Sequence, residues 1–231
     1  MTAETGGAVR ALIRHPAAPY AAPFAVFVLL LVIGPHVPIG VWEQPLRVVI
    51  LAITIFVFSR RVIDFRATAP AASAGVGVVV FLIWVAPDFL WPEYRGHWLF
   101  QNSITGELKG SFPEAYRTDM VFLVFRTVRA VVLVPIIEEL FWRGWLMRWL
   151  IDNDFTKLPL GSYAAGSFWI TALLFASEHG PYWEVGLLAG IAYNLWIIRA
   201  KRLGDCILAH AVTNGALSAY VIAAGKWEYW M

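Results

Sequence analysis

Acidic, imidazole and amide side chains occur inside three apolar segments of this sequence. The first segment carries two adjacent carboxylates and an arginine, the second a phenylalanine and a histidine, and the third a histidine and an amide: Glu138, Glu139, Arg143, Phe175, His179, His210 and Asn214. Ionisable groups are costly in lipid, so such residues mark either a functional site or polar contacts between helices. Carboxylates and imidazoles can move protons, and fixed hydrogen-bond donors can stabilise developing negative charge.

Helical spacing separates the roles of the two carboxylates. Glu139 and Arg143 are four residues apart, so they share one helix face and can form an ion pair. Glu138 is rotated by about 100° from Glu139 and is free to face elsewhere. Beside a histidine, this carboxylate could form a couple that takes a proton from water near neutral pH.

His210 and Asn214 are also four residues apart, so the imidazole and the carboxamide project from one face. Two donors fixed side by side in a dry cavity are suited to an oxyanion, as when a peptide carbonyl becomes tetrahedral. Phe175 lies one helical turn before His179 and could pack beneath its ring. No serine or cysteine stands in an obvious nucleophile setting, since Ser177 and Cys206 lack companion motifs.

Packing is the alternative interpretation of each group taken alone. A Glu–Arg pair can hold helices together, and a single histidine or asparagine can form an interhelical hydrogen bond. We assign that packing role to Glu178 and Asn194, and we expect Arg126 and Arg129 to snorkel to the membrane interface. Two carboxylates, two histidines and an amide in three apolar helices are together a costly set for packing alone.

The rest of the sequence predicts the helices that must position these groups. The chain is 59% hydrophobic and 15% charged, whereas a soluble domain carries about 25% charged residues. Apolar blocks occur at about 19–41, 45–59, 69–90, 119–150, 163–179, 182–198 and 203–224. We therefore predict an all-α fold, a polytopic membrane bundle of about seven transmembrane helices, as a single domain over residues 1–231. The net charge of +2 does not suggest nucleic-acid binding.

Basic residues between the blocks predict the orientation in the cell membrane. They precede the first block and follow the second and sixth: Arg10, Arg14, Arg60, Arg61, Arg66, Arg199, Lys201 and Arg202. With seven alternating helices, these clusters fall on one side, which the positive-inside rule makes cytoplasmic. The N-terminus is then cytoplasmic, the C-terminus is extracytoplasmic, and residues 91–117, including Glu107, form the longest outer loop.

Two features leave alternatives open. The block at 119–150 would be about 48 Å long as a helix, more than a bilayer core of roughly 30 Å requires. It is either an interfacial amphipathic segment followed by a span or one long tilted helix. In addition, Gly180 and Pro181 should end a helix just after His179, which places His179 near the outer membrane surface and His210 nearer the cytoplasmic surface. The two imidazoles can meet only if the hairpin between the fifth and sixth helices dips into the bilayer or the predicted boundaries shift.

The ordered motifs Glu-Glu-x-x-x-Arg, Phe-x-x-x-His and His-x-x-x-Asn on successive membrane helices resemble the signature of the CPBP family, which includes CAAX prenyl endopeptidases of the Ras-converting type. All three motifs are complete, and the resemblance runs from about Pro135 to the end of the seventh helix, within a catalytic core at about 119–224. The stretches 112–119 and 178–190 are also similar to CAAX-protease-related proteins that accompany exosortase sorting systems.

The resemblance implies a glutamate-type intramembrane endopeptidase. Glu138 would activate water with help from His179, His210 and Asn214 would stabilise the oxyanion, and Glu139, Arg143 and Phe175 would shape the site. The expected partners are membrane lipid, a protein or peptide substrate and a sorting or exosortase system, with no nucleic acid.

No cofactor is expected, because the sequence lacks the His-Glu-x-x-His pattern of zinc proteases. Glu138, His179 and His210 would be the ligands of an alternative, zinc-dependent protease. Further alternatives are a catalytically idle scaffold of a protein-sorting system and a proton-coupled transporter. The transporter class favours inverted repeats, and none is seen in the sequence.

Overall fold

Seven main helices make up most of the chain in the computed structural model, which describes residues 14–106 and 112–230. They are α1 (Ala18–Ile33), α2 (Glu43–Thr54, continued by a π-helical segment, Ile55–Ser59), α3 (Pro70–Leu90), α4 (Met120–Trp149), α5 (Ala165–Ser177), α6 (Trp183–Ala200) and α7 (Leu203–Ala224). They correspond to the seven predicted blocks. Arg10 and Glu107, which were used to predict the orientation, lie outside the described residues.

The helices form a polytopic membrane bundle, as predicted. In the described chain, the helix containing α2 (Gly40–Ser59) and helices α3, α4 and α7 are long and apolar enough to cross a membrane, while α1 and α5 are apolar but shorter. Large apolar side chains such as Val32, Phe56 and Leu173 are exposed on outer helix faces. Such surfaces suit lipid contact, since a soluble protein rarely exposes extended apolar patches.

Helix α4 is continuous for 30 residues. At 1.5 Å per residue it is about 45 Å long, so the single-helix alternative is correct and the interfacial break is not found. Asp119 caps its start, accepting a hydrogen bond of 2.8 Å from the Phe122 amide. Two π-helical segments, Arg129–Leu133 and Leu140–Leu146, flank the α-helical turn that carries Glu138 and Glu139. Such segments are frequent at functional sites because they change the direction of side chains.

Helices α3 and α7 pack closely and point the same way. The Asp205 carboxylate, in the first turn of α7, accepts hydrogen bonds from the Thr68 amide and hydroxyl, the Ala69 amide and the Ser73 hydroxyl, all between 2.8 and 2.9 Å. It thereby caps the start of α3. Farther along, a Cβ at Gly77 would lie 2.3 Å from the Ala209 carbonyl oxygen, so only glycine fits this contact. The small residues of the third block thus allow close packing, as expected.

The turn between α5 and α6 lies beside α3 at the level of Trp84, before α3 ends. This depth explains how His179 reaches the interior. Helix α5 has 13 residues, about 20 Å, and is shorter than a bilayer core of roughly 30 Å. Gly180 adopts a positive φ of 51° in the turn. The His179 ring lies 5.1 Å from that of Trp84, six residues before the end of α3. The Arg95 guanidinium, from the following loop, donates to the Pro181 carbonyl at 2.7 Å and covers the turn.

Candidate active site

One cavity brings together five of the predicted residues. It has a volume of about 200 Å³, room for ordered water, and is lined by Glu138 of α4, Phe175 and His179 at the end of α5, and His210 and Asn214 of α7. Glu139 and Arg143 lie behind this wall, both almost fully buried. The three sequence motifs therefore face a shared space even though they are on different helices.

Glu138 has a carboxylate oxygen without a protein partner. The residue is 7% exposed, and its Oε2 atom is buried with no hydrogen-bond partner among the described residues. A buried polar oxygen with no partner is costly, so water or a ligand is expected to satisfy it. The carboxylate is therefore available to a molecule in the cavity.

The protonation pattern of His179 follows from its hydrogen bond. Its Nδ1 atom lies 2.7 Å from the Phe175 carbonyl oxygen, which can only accept, so Nδ1 carries the proton. In the neutral ring, Nε2 then has the free lone pair. The ring packs 4.8 Å from the Phe175 ring, as the one-turn spacing predicts, and these contacts fix its orientation.

Glu139 holds both Arg143 and His210. Its Oε1 atom accepts from Arg143 Nη1 at 3.1 Å, which confirms the predicted ion pair, and from His210 Nδ1 at 2.9 Å. The contact with His210 could not be predicted from spacing, because the two residues are 71 positions apart. This bond orients the His210 ring and leaves its Nε2 atom for other contacts.

Arg143 joins α4 to α6. Its Nε atom donates to Asn194 Oδ1 at 3.0 Å and its Nη2 atom to the Gly190 carbonyl at 3.3 Å. Asn194 in turn donates to the Phe168 carbonyl of α5 at 2.9 Å, so its predicted role as an interhelical contact is confirmed. Glu178 differs from the expectation, since it is exposed and no hydrogen bond of its carboxylate is found among the described residues.

Asn214 completes a hydrogen bond that α4 cannot make by itself. In a π-helical turn, a carbonyl accepts from the amide five residues later, but five residues after Ala130 stands Pro135, which has no N–H. Asn214 Nδ2 donates to the Ala130 carbonyl instead, at 2.8 Å. The second N–H of this amide remains for a molecule in the cavity.

Sequence reasoning missed two arginines that line the same cavity. The interface role assigned to Arg126 and Arg129 is wrong: Arg129 is only 6% exposed, and both face the cavity that contains Glu138. The cause is the chain after α7, where the 3₁₀-helical turn Trp227–Trp230 folds back so that Trp230 also lines the cavity. Helical spacing gave no signal, because twelve residues rotate Arg126 by about 120° from Glu138 in a regular α-helix. The π-helical segment Arg129–Leu133 between them changes this angle.

Among the described residues, no three His, Cys, Asp or Glu side chains are arranged to hold a metal ion. His179 and His210 each commit Nδ1 to a protein oxygen, which leaves Nε2 as the remaining nitrogen of each ring, an arrangement that zinc-binding imidazoles also show. The zinc-dependent alternative considered from the sequence therefore stays a prediction.

Together, the lipid-facing helices and the buried cavity with its carboxylate, imidazoles and amide define an integral membrane protein with a hydrolase-like site. Residues 120–216 match the family model of the Rce1-like type II CAAX prenyl endopeptidases. This match contains all the motif residues and supports assignment of the chain to the CPBP/CAAX protease family, as an intramembrane protease. No curated protein and no solved structure is found to match the chain.

Proposed function

We propose that the protein hydrolyses a peptide bond of a membrane-associated protein or peptide by direct attack of water. Glu138 removes a proton from the water with the help of His179 Nε2, and the proton is then given to the leaving nitrogen as the C–N bond breaks. The observation that carries the proposal is the unpartnered oxygen of Glu138 in the same cavity as both imidazoles and Asn214.

The oxyanion is stabilised by His210 and Asn214. Since His210 Nδ1 donates to Glu139, its Nε2 atom can donate to the oxyanion when the ring carries both protons. Asn214 supplies its second N–H. Donors held in place by other hydrogen bonds do not reorganise as charge develops.

A covalent acyl-enzyme is not part of the proposal. Cys206 is fully buried, with its Sγ atom directed at the Tyr193 carbonyl, and Ser177 is exposed and bonded to the Leu174 carbonyl. Neither side chain lines the cavity.

Replacement of Glu138 by glutamine tests the mechanism. The amide keeps the size of the side chain but cannot accept a proton, so we expect cleavage to fall by at least about 100-fold, with folding unchanged. The assay is mass-spectrometric detection of new termini in a library of membrane-anchored peptides, with the protein in liposomes.

Glu178→Gln is the matched control, because Glu178 is exposed outside the cavity, and it should cleave like the wild type. A wild-type rate for Glu138→Gln would overturn the proposal.

Since the side chains do the proton transfer without a metal, activity should also survive chelation by 1,10-phenanthroline. Loss on chelation with recovery on adding zinc would instead support the metal-dependent alternative.

The expected setting is the cell membrane, with the N-terminus cytoplasmic and the C-terminus outside. This orientation rests on the distribution of basic residues. The partnership with an exosortase-type sorting system rests on the resemblance of residues 112–119 and 178–190, and remains a prediction.

A further inference from the structure

A second cavity lies at the end of the bundle where helices α3 and α7 finish. It has a volume of about 520 Å³, and its polar lining consists of Asp88, Arg95, Tyr182, Lys226, Glu228 and Tyr229. We call this space the outer vestibule, since the basic residues predict that this end of the bundle faces the outside of the cell. Because charged groups of both signs line it, the outer vestibule suits water and polar main chain better than lipid tails.

Tyr229 stands between the outer vestibule and the active-site cavity. Among the described residues, it alone lines both spaces. Its hydroxyl donates to the Asp88 carboxylate at 2.8 Å, and no other hydrogen bond of this side chain is found in the described part of the chain. Asp88 is itself held by Arg95, whose Nε atom lies 3.0 Å from the carboxylate. A single hydrogen bond therefore keeps the phenol of Tyr229 in the wall between the two spaces.

The active-site cavity by itself is too small for a peptide. Its volume is about 200 Å³, whereas pockets that hold a small-molecule ligand usually measure about 300 to 1,000 Å³. A peptide segment is at least as large as such a ligand. Joined, the two spaces reach this range, so opening of the wall at Tyr229 makes room for a peptide beside Glu138.

We propose that Tyr229 is a gate through which the substrate peptide enters the active-site cavity from the outer vestibule. This inference rests on the proposed function. In the closed state, the phenol is bonded to Asp88. In the open state, the side chain leaves Asp88, and the outer vestibule and the cavity become one cleft. The peptide then arrives from the side predicted to be extracytoplasmic, with its polar main chain in the outer vestibule and the cleaved bond beside Glu138.

The chain around Tyr229 is anchored, so the gate is a side chain and not the whole segment. Trp227 and Trp230 pack against Phe112, with ring centres 5.5 and 6.2 Å from the Phe112 ring centre. The Trp230 carbonyl also accepts a hydrogen bond from Arg126. These contacts hold the turn Trp227–Trp230 in place on both sides of Tyr229 while its phenol moves.

Replacement of Tyr229 by phenylalanine tests the gate in the cleavage assay. The change keeps the ring but removes the hydroxyl, so the closed state loses its hydrogen bond to Asp88. A larger open fraction raises the apparent affinity for substrate in proportion, and kcat/KM should rise with it. We expect an increase of about 10- to 100-fold, the equilibrium equivalent of one hydrogen bond to a charged acceptor. Tyr116→Phe is the matched control, because Tyr116 stacks on Phe122 and lines neither cavity, and it should keep the wild-type rate.

Cysteine labelling measures the gate without any cleavage. Ser218→Cys in a Cys206→Ala background places a thiol in the active-site cavity, where the anionic reagent 2-sulfonatoethyl methanethiosulfonate must pass Tyr229 to reach it. With purified protein in phosphatidylcholine nanodiscs, Tyr229→Phe should raise the labelling rate of this thiol by about the same factor as kcat/KM. Cys206 in the protein with Ser218 unchanged is the control: it is fully buried and lines neither cavity, so it should stay unlabelled with or without Tyr229→Phe.

Three results would overturn the gate. The first is labelling of Ser218→Cys that Tyr229→Phe leaves unchanged or slows. The second is faster labelling of Cys206 in Tyr229→Phe, which would show general loosening of the fold. The third is a kcat/KM that stays the same or falls although labelling is faster, which would make Tyr229 part of the substrate site and not its entrance. Absence of any Glu138-dependent cleavage would instead contradict the proposed function, and the labelling rates would still decide whether Tyr229 closes the cavity.

Discussion

Arg143 is the residue on which the buried polar network depends. It contacts Glu139, Asn194 and the Gly190 carbonyl, and its guanidinium stacks 4.7 Å from the Phe175 ring centre. Through Glu139 it is also connected to His210. One side chain therefore links α4, α5, α6 and α7 at the level of the cavity.

Removing one member of the Glu139–Arg143 pair should destabilise the fold strongly. Glu139→Ala leaves a buried guanidinium without its carboxylate, at a cost of about 3–5 kcal/mol in the free energy of unfolding. The double variant Glu139→Leu/Arg143→Met should recover part of that loss, since no charge remains buried, but should stay inactive because His210 loses its acceptor. Denaturant titration in detergent measures the free energy of unfolding of both variants. A double variant less stable than Glu139→Ala would contradict this account.

At the residue scale, most of the candidate site could be predicted from spacing. Pairs four apart identified Glu139 with Arg143 and Phe175 with His179, because helix geometry alone brings them together. The Glu139–His210 bond could not be predicted, since it depends on how α4 packs against α7. Arg126 and Arg129 were misinterpreted for a similar reason: their burial depends on the chain after α7.

At the element scale, Asp205 ties the start of α7 to the start of α3. It accepts two hydrogen bonds from the Thr68 and Ala69 amides, just before the first residue of α3, and two from the Thr68 and Ser73 hydroxyls. The cap holds the two helices in register, so that Thr213 of α7 meets the Gly77 carbonyl at 2.8 Å.

Asp205→Ala should lower the free energy of unfolding by on the order of 3 kcal/mol, because buried donors lose a charged acceptor. Asp64→Ala is the control: its ion pair with Arg202 is exposed, so the change should stay below about 1 kcal/mol. Thermal unfolding in detergent compares them. Similar losses for the two variants would show that the cap is not responsible.

The helices themselves could be predicted because seven apolar blocks are separated by polar residues. The π-helical segments inside α4 could not be predicted, because a π-helical segment has no distinct hydrophobic period in so apolar a sequence. Pro135 was the only local sign, and its meaning depends on Asn214, which belongs to another helix. The depth of the α5–α6 turn could not be predicted either, because it depends on the contact of His179 with Trp84, which lies on another helix.

At the scale of the whole molecule, the parallel direction of α3 and α7 agrees with a chain that crosses the membrane four times between their starts, through α3, α4, α5 and α6. Cys206 is the only cysteine in the sequence, so Cys206→Ala provides a background for labelling. A cysteine at Ile104, in the loop after α3, should react with an impermeant maleimide in intact cells. A cysteine at Asp152, after α4, should react only once the membrane is opened. The reverse pattern would contradict the predicted orientation.

The short helix α5 also affects the lipid around the protein. Its outward side chains, including Trp169, Ile170 and Leu173, cover less height than the acyl layer, and a bilayer responds to such a mismatch by thinning beside the short element. Headgroups and their hydration layer then sink toward the His179 turn on that flank alone. The distance that a solvent molecule must travel to the base is therefore set by the shortest helix of the bundle, however far α4 extends on the other side.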